Sequence, residues 1–451
     1  MTKKYDVIVV GAGPAGFTAA RAAGENGFDV ALLERKTDIT VMDRACAQTL
    51  DSPLGYLHRD LYRLNVRDKR ICFPAHGFSV KYDGPYRKSY SLQNYSPSGL
   101  KIQIGITEEE KEKGDYGMHT AVPDKEILFR CLLEEAKACS VEVFPGINVQ
   151  KVTPTADGVT VEGSGQSFEG RYLIAADGVN SRIAEMMGFN KDRTYYGNLY
   201  GMLYYMSGIE VPDFDATYHV FGFPKGGPAQ LFIFVKPPPG EHTASIVTMH
   251  PKVDLKEAWK YFTKEAFCAS WFKNAKELRA FSAVINCRTP IVEPYRDRVL
   301  LTGDVPATLE VEITGAMIWG WQAGHAVSLA LQEENLGLEV TAISRYVNRW
   351  QEEHIKYTSH DGIMKNWALP YALTEPDEID YLWSFIKEPL PIPPGNPYDG
   401  VAWEDGLFTG HIEKAIPTIQ KERPELLPKL ARMGLPCTEL YAEVTKISKP
   451  I

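Results

Sequence analysis

The stretch Tyr5-Asp6-Val7-Ile8-Val9-Val10-Gly11-Ala12-Gly13-Pro14-Ala15-Gly16 opens the chain and decides its fold. Residues 5–10 read as a buried strand, and the alanine-rich run after Gly16 reads as a helix. Gly11 supplies a tight turn, Gly13 lets backbone approach a pyrophosphate, and Gly16 allows close packing of helix on strand. With Pro14 and Ala15 between them, the helix start turns unpaired N–H groups and the positive end of its dipole toward phosphates. Residues 30–33 form a second strand that ends on Glu34 and Arg35. A carboxylate 18 residues beyond Gly16 is spaced to accept from a ribose hydroxyl. Glycine punctuates many turns, but strand, glycines, helix, strand and acid in this order predict a dinucleotide site.

Two later segments narrow the choice. Residues 172–176 form an apolar strand running into Asp177-Gly178-Val179-Asn180-Ser181-Arg182, and residues 299–302 another, running into Gly303-Asp304. With these three glycine-bearing segments in order across residues 1–350, the chain resembles the FAD-dependent family that holds aromatic-ring hydroxylases and geranylgeranyl reductases. The resemblance implies noncovalent FAD, with Asp304 by the ribityl chain and Asp177 near the pyrophosphate and the nicotinamide approach. It also implies that Arg182 tunes access on that side.

The segment after Asp304 separates the branches of that family. Ring hydroxylases show a GDAAH and then GQGxN, whereas the reductases read more like GDAA followed by GGGI. This chain reads Gly303-Asp304-Val305-Pro306-Ala307 and then Thr314-Gly315-Ala316-Met317-Ile318, which is similar to the reductase pattern and lacks the histidine. Gly315, Ala316 and Met317 are therefore expected against the flavin. Arg44-Ala45-Cys46-Ala47 matches the Arg and Cys of an Arg-x-Cys-Gly segment typical of that branch, with Arg44 facing the cofactor phosphates. His219-Val220-Phe221-Gly222-Phe223-Pro224-Lys225-Gly226 keeps the Phe, Pro and Gly of its YxWxFPxG stretch. Trp319-Gly320-Trp321 suggests a halogenase, but the WxWxIP motif of that branch is missing.

The reading implied is an FAD-dependent reduction of a C=C bond in a hydrophobic substrate, prenyl chains included. That chemistry needs a hydride from flavin N5 and a proton from the other side. Cys46 is the first proton-relay candidate, against the commoner role of a free cysteine as a small buried hydrophobe. Glu310 and Glu312 come next, since a carboxylate in the loop after Asp304 can donate if burial raises its pKa. His219 is a third candidate, against a structural role. Two rivals stay open: an aromatic monooxygenase of the same fold, and a flavin electron carrier that docks with partner proteins. A second nucleotide-binding glycine loop is missing, which favours a ferredoxin-type donor or transient NAD(P)H contact.

Bulk properties bound the rest. The chain has 451 residues, 44% of them hydrophobic and 24% charged, enough for one or two full cores. A net charge of −9 argues against nucleic acid, which wants a basic stripe, but leaves room for a local patch at a membrane surface. Seven cysteines without a CxxC pair fit a reducing cytoplasm, and metal-ligand spacings are missing. No run approaches a membrane span, and the short apolar run after Lys4 passes straight into the phosphate loop, unlike a signal peptide.

The expected fold class is α/β with an α+β second lobe: a Rossmann-like FAD-binding domain, a mixed-sheet substrate lobe and a C-terminal cap. Residues 1–45, 117–190 and 285–355 are assigned to the first, 46–116 and 191–284 to the second, and 356–451 to the cap. Alternating Phe73, Phe78, Tyr82, Tyr86, Tyr90 and Tyr95 predict strands with an aromatic face. Helices are expected over 122–140, 255–272, 314–333 and 341–357, and strands over 199–206, 218–223, 229–235 and 244–249.

Overall fold

A computed structural model describes residues 3–50, 62–356, 362–365, 367–392 and 405–451; at 362, 363 and 405–409 it describes backbone alone. Trp403 and the end of the proline-rich bend, Pro393 and Pro394, lie outside the described residues.

The first sheet has eight strands and is built on Lys4–Val10, which is flanked in parallel by Val30–Glu34 and Gln166–Ala175. Glu142–Pro145 adds to one side and Val299–Leu301 pairs with the end of Gln166–Ala175, both in parallel. Val7, Ile8 and Val9 are fully buried, as continuous apolar strands covered on both faces must be. Helix Pro14–Glu25 packs on this sheet and on helix Glu312–Asn335. Small residues permit that closeness: a Cβ on Gly320 would stand 2.1 Å from the Ala15 carbonyl oxygen, and one on Gly324 would stand 2.4 Å from that of Ala19. Thr18 Oγ1 completes the seam by donating to Met317 O at 3.0 Å.

The second sheet has seven strands in the order Lys276–Arg288, Tyr195–Ser207, Glu241–Thr248, Ala229–Val235, Ala216–Gly222, Ser91–Tyr95, Lys101–Ile104. Its side chains alternate between two environments. Tyr218, Val220, Leu231, Ile233, Ala244 and Ile246 pack with Phe262, Trp271 and Phe272 from the segment behind the sheet. Leu203, Phe232, Phe234, Ser245 and Val247 turn the other way, toward the first sheet. The C-terminal residues pack on this sheet too: Trp383 Nε1 donates to Asn94 O, Thr445 Oγ1 to Tyr196 O, and Asn198 Nδ2 to Lys449 O.

Two expectations about elements change. The helix expected over 255–272 is Leu255–Lys260 continued by a wider turn at Tyr261–Glu265; Ala266 is extended and a 3-10 helix, Phe267–Phe272, follows. Glu312 is the first helical residue of Glu312–Asn335 and not part of a loop, and its φ of +59° is left-handed. The aromatic alternation does make strands, but its rings serve packing. Phe73 stacks on Phe78 with centroids 4.6 Å apart, Phe78 stacks on Trp321 at 4.7 Å, and Tyr82 meets Tyr86. No helix among the described residues is long and apolar enough to cross a membrane, and none of their His, Cys, Asp and Glu groups could hold a metal ion.

Candidate active site

The C-terminal ends of the parallel strands converge on one cradle, the usual ligand position in such a sheet. Gly11 has φ +102°, and a Cβ there would stand 2.3 Å from the Ala176 carbonyl oxygen; the turn needs glycine for shape and for space. Gly16 is tighter, with a built Cβ 1.7 Å from Gly11 O. Gly13 differs: its φ is −83° and a built Cβ meets nothing within 4 Å. Protein packing therefore does not demand glycine at 13, while a group lying on the helix start would.

Glu34 is buried, with one oxygen accepting from Ala12 N at 2.7 Å and the other from Lys36 N at 2.9 Å. This fixes the carboxylate beside the phosphate loop with lone pairs left for a ribose. Asp304 accepts from Val311 N at 2.9 Å and pairs with Arg44 at 3.4 Å. Gly303, at φ +63°, brings its backbone close enough that an added Cβ would meet Ala15 Cβ at 2.7 Å. Arg35 is exposed and pairs with Asp43 at 3.2 Å.

Two adjoining cavities share Gly11, Pro14, Glu34, Arg44, Asp304 and Ala316 in their walls. The smaller, about 130 Å³, lies over Ala12, Gly13 and Ala15. The larger, about 590 Å³, runs from Ala45, Cys46, Glu310 and Glu312 to the second sheet. An elongated group with a phosphate-bearing end and a flat end fits this pair. The open side of Gly13, the tethered Glu34 and the Asp304 turn are all suited to FAD.

The other expected site residues also make contacts within the protein. Asp177 borders both cavities, but its carboxylate accepts from Ser181 Oγ at 2.6 Å, Arg182 N at 3.0 Å and Ile183 N at 3.3 Å, tying down the short helix Arg182–Met186. Burial pushes its carboxyl above the usual range against those hydrogen bonds. Arg182 edges the larger cavity and donates to Asn148 Oδ1 at 3.3 Å. Of the three helix residues expected at the flavin, Ala316 faces the cavities; Met317 is fully buried in the core, and Gly315 is buried off the cavity walls. The helix register turns Met317 inward.

His219 is off the cavity wall. Phe232, its cross-strand neighbour and itself a wall residue, stacks on it with centroids 4.3 Å apart. His219 Nε2 lies 2.6 Å from Gln230 Oε1, and burial drives its pKa down to about 4. That favours a structural imidazole over a proton donor to the cavity.

Comparison with known proteins agrees with the geometry. Residues 5–82 match the model of a pyridine nucleotide-disulphide oxidoreductase family, and residues 93–305 match that of an FAD binding domain family. A digeranylgeranylglycerophospholipid reductase of Methanocaldococcus jannaschii is 27% identical over 403 residues, 86% of this chain and 91% of that protein. A geranylgeranyl bacteriochlorophyll reductase-like protein of Thermoplasma acidophilum superposes with TM-score 0.69 at 18% identity, over 96% of this chain and all of that one. The p-nitrophenol 4-monooxygenase PnpA of Pseudomonas putida superposes with TM-score 0.61 at 16% identity, over 92% of this chain and 98% of that one. The chain is an FAD-dependent oxidoreductase, similar to digeranylgeranylglycerophospholipid reductases.

In this flavoprotein the sequence reading missed Lys125. It follows the Asp124 N-cap of helix Lys125–Ala138 and has the sequence look of a solvated first-turn residue. In the fold it is buried, borders both cavities, and points Nζ at Cys46 Sγ, 3.1 Å away. Contact across 79 residues leaves no local signal.

Proposed function

We propose that the protein reduces a C=C bond of a hydrophobic substrate, with isoprenoid chains as the favoured class. The observation that carries this reading is the continuity of the flavin cradle with an apolar wall. Leu199, Leu203, Phe232, Phe234, Val247 and Trp367 face the same cavity as Arg44, Cys46 and Asp304. A long hydrocarbon loses water on entering such a space, worth roughly 25 cal/mol per Å² of apolar surface buried. The named activity of the Methanocaldococcus jannaschii relative supports the same class.

FAD bound there would supply a hydride at N5. The chain's own residues do the rest. Glu34 holds a ribose, the start of helix Pro14–Glu25 faces the pyrophosphate, and Asp304 fixes the turn beneath the ribityl chain. The second sheet lays the alkene along its apolar face and keeps water out. Cys46, at the meeting of cradle and wall, holds the proton that the reduced carbon pair requires. Glu310 and Glu312 border the cavity from the other side and are the alternative source. In this assignment residues 46–116 and 191–284 serve the substrate, residues 356–451 cap them, and the electron donor is NAD(P)H in transient contact or a ferredoxin-type protein.

The test is anaerobic. Enzyme reduced by dithionite is mixed with prenyl alcohols and other alkenes while flavin absorbance is followed. Reoxidation by an alkene without oxygen is the expected result, and Cys46→Ala should slow it with FAD still bound. Failure of every alkene, together with turnover of phenols in oxygen, would favour the monooxygenase.

A further inference from the structure

We infer that Lys125 is the positioning residue that aims and recharges Cys46 as the proton source of the site; the inference rests on the alkene-reductase reading above. Lys125 is 8% exposed, and its ammonium donates to Cys46 Sγ at 3.1 Å. A buried lysine is uncommon unless its charge has a use. Among the described residues no carboxylate is paired with this one: its Nζ meets the sulfur and lies 5.5 Å above the Phe129 ring. The neighbouring backbone holds the geometry from both sides. Gln48 N donates to Cys46 Sγ at 3.4 Å, and Gln48 Oε1 accepts from Lys125 N at 3.0 Å. Gln48 is itself buried and donates through Nε2 to the Tyr205 hydroxyl. One residue thus holds both members of the pair, Cys46 through its backbone N–H and Lys125 through its side-chain oxygen, and both members border the larger cavity.

The arrangement suits a proton delivered with its replacement in place. As one alkene carbon receives the hydride, the Cys46 S–H bond breaks and its proton forms the new C–H bond on the other carbon. The electron pair of the S–H bond stays on sulfur. The ammonium already donates to this sulfur, and the hydrogen bond becomes charge-assisted as the proton leaves. An N–H proton of Lys125 then passes to sulfur, and solvent reprotonates the amine. The substrate gains one hydride and one proton, and the cysteine ends as it began.

The consequence is visible without substrate. A thiolate-favouring neighbour accelerates alkylation, because the thiolate is the nucleophile. Site-resolved iodoacetamide labelling of the purified flavoprotein at pH 7, read by peptide mass, should show Cys46 slowed about tenfold in Lys125→Met. Lys125→Arg, which keeps a cation beside the sulfur, should recover most of the rate. In unaltered protein, Cys46 should outpace Cys72 and Cys139, which are also half-buried, and this comparison holds even if Lys125→Met does not fold. FAD content is measured on the same samples. Unchanged Cys46 labelling in Lys125→Met, with or without FAD loss, would overturn the pairing and leave Lys125 a cofactor contact. Equal labelling of Cys46, Cys72 and Cys139 would overturn it as well. Neither result depends on which alkene is reduced, so failure here is distinct from failure of the reductase reading.

Discussion

Arg44 reaches to within 3.4 Å of the Asp304 carboxylate, joining the segment after the second parallel strand to the turn after Val299–Leu301. The other oxygen of Asp304 accepts from Val311 N at 2.9 Å, so one carboxylate sets both the cradle mouth and the loop that carries Glu310. Asp304→Ala should weaken FAD binding about 10–100-fold, the cost of losing a hydrogen bond to a charged group. It should also speed proteolytic cleavage within residues 305–311. Titration of the apoenzyme with FAD and limited proteolysis read the two effects separately.

Gly13 and Gly320 should respond in opposite ways. Gly13→Val places its side chain in open space at an ordinary φ, so the fold should keep its melting temperature while FAD is lost. Gly320→Ala drives a Cβ to 2.1 Å from the Ala15 carbonyl oxygen, where helix Pro14–Glu25 must move. Overpacking of this kind costs about 1–3 kcal/mol, and the loss should appear as a lower melting temperature even for apoenzyme. Retention of a full complement of FAD by Gly13→Val would contradict the assignment of the phosphate loop.

Acid should weaken the fold before the carboxylates titrate. Burial lowers the pKa of His219 and His242 to about 4 and that of His354 to about 3, against 6.5 when unfolded. These imidazoles are neutral in the fold, so their contribution is fully present above pH 6.5 and falls away as pH drops toward 4. Denaturant midpoints measured from pH 7 to pH 4.5 should decline, and His219→Phe should remove part of the slope. A flat profile over that window would contradict the burial of these rings.

The cofactor half of the site was legible because its signals are local. Gly11, Gly13 and Gly16 lie within six residues of one another, and Glu34 follows at a fixed offset, so chain order alone implies geometry. The substrate half depends on contacts between distant segments. Strand Lys276–Arg288 escaped the sequence reading because it is an edge strand, mostly exposed along its first half and without clean alternation. His219 carried the right residue type, but only strand pairing shows Phe232 lying over it. Met317 matched a motif position, and helix register turned it into the core. Ala266 broke an expected helix with no glycine or proline to announce it.

The central claim is that a reduced carbon pair, and not an inserted oxygen, leaves this cavity. The most direct measurement is the product mass after anaerobic single turnover of reduced enzyme with an isoprenoid alkene. The account predicts flavin reoxidation without oxygen and a product heavier by two hydrogens. A flavin that stays reduced until oxygen is admitted, followed by a product heavier by one oxygen atom, would contradict it.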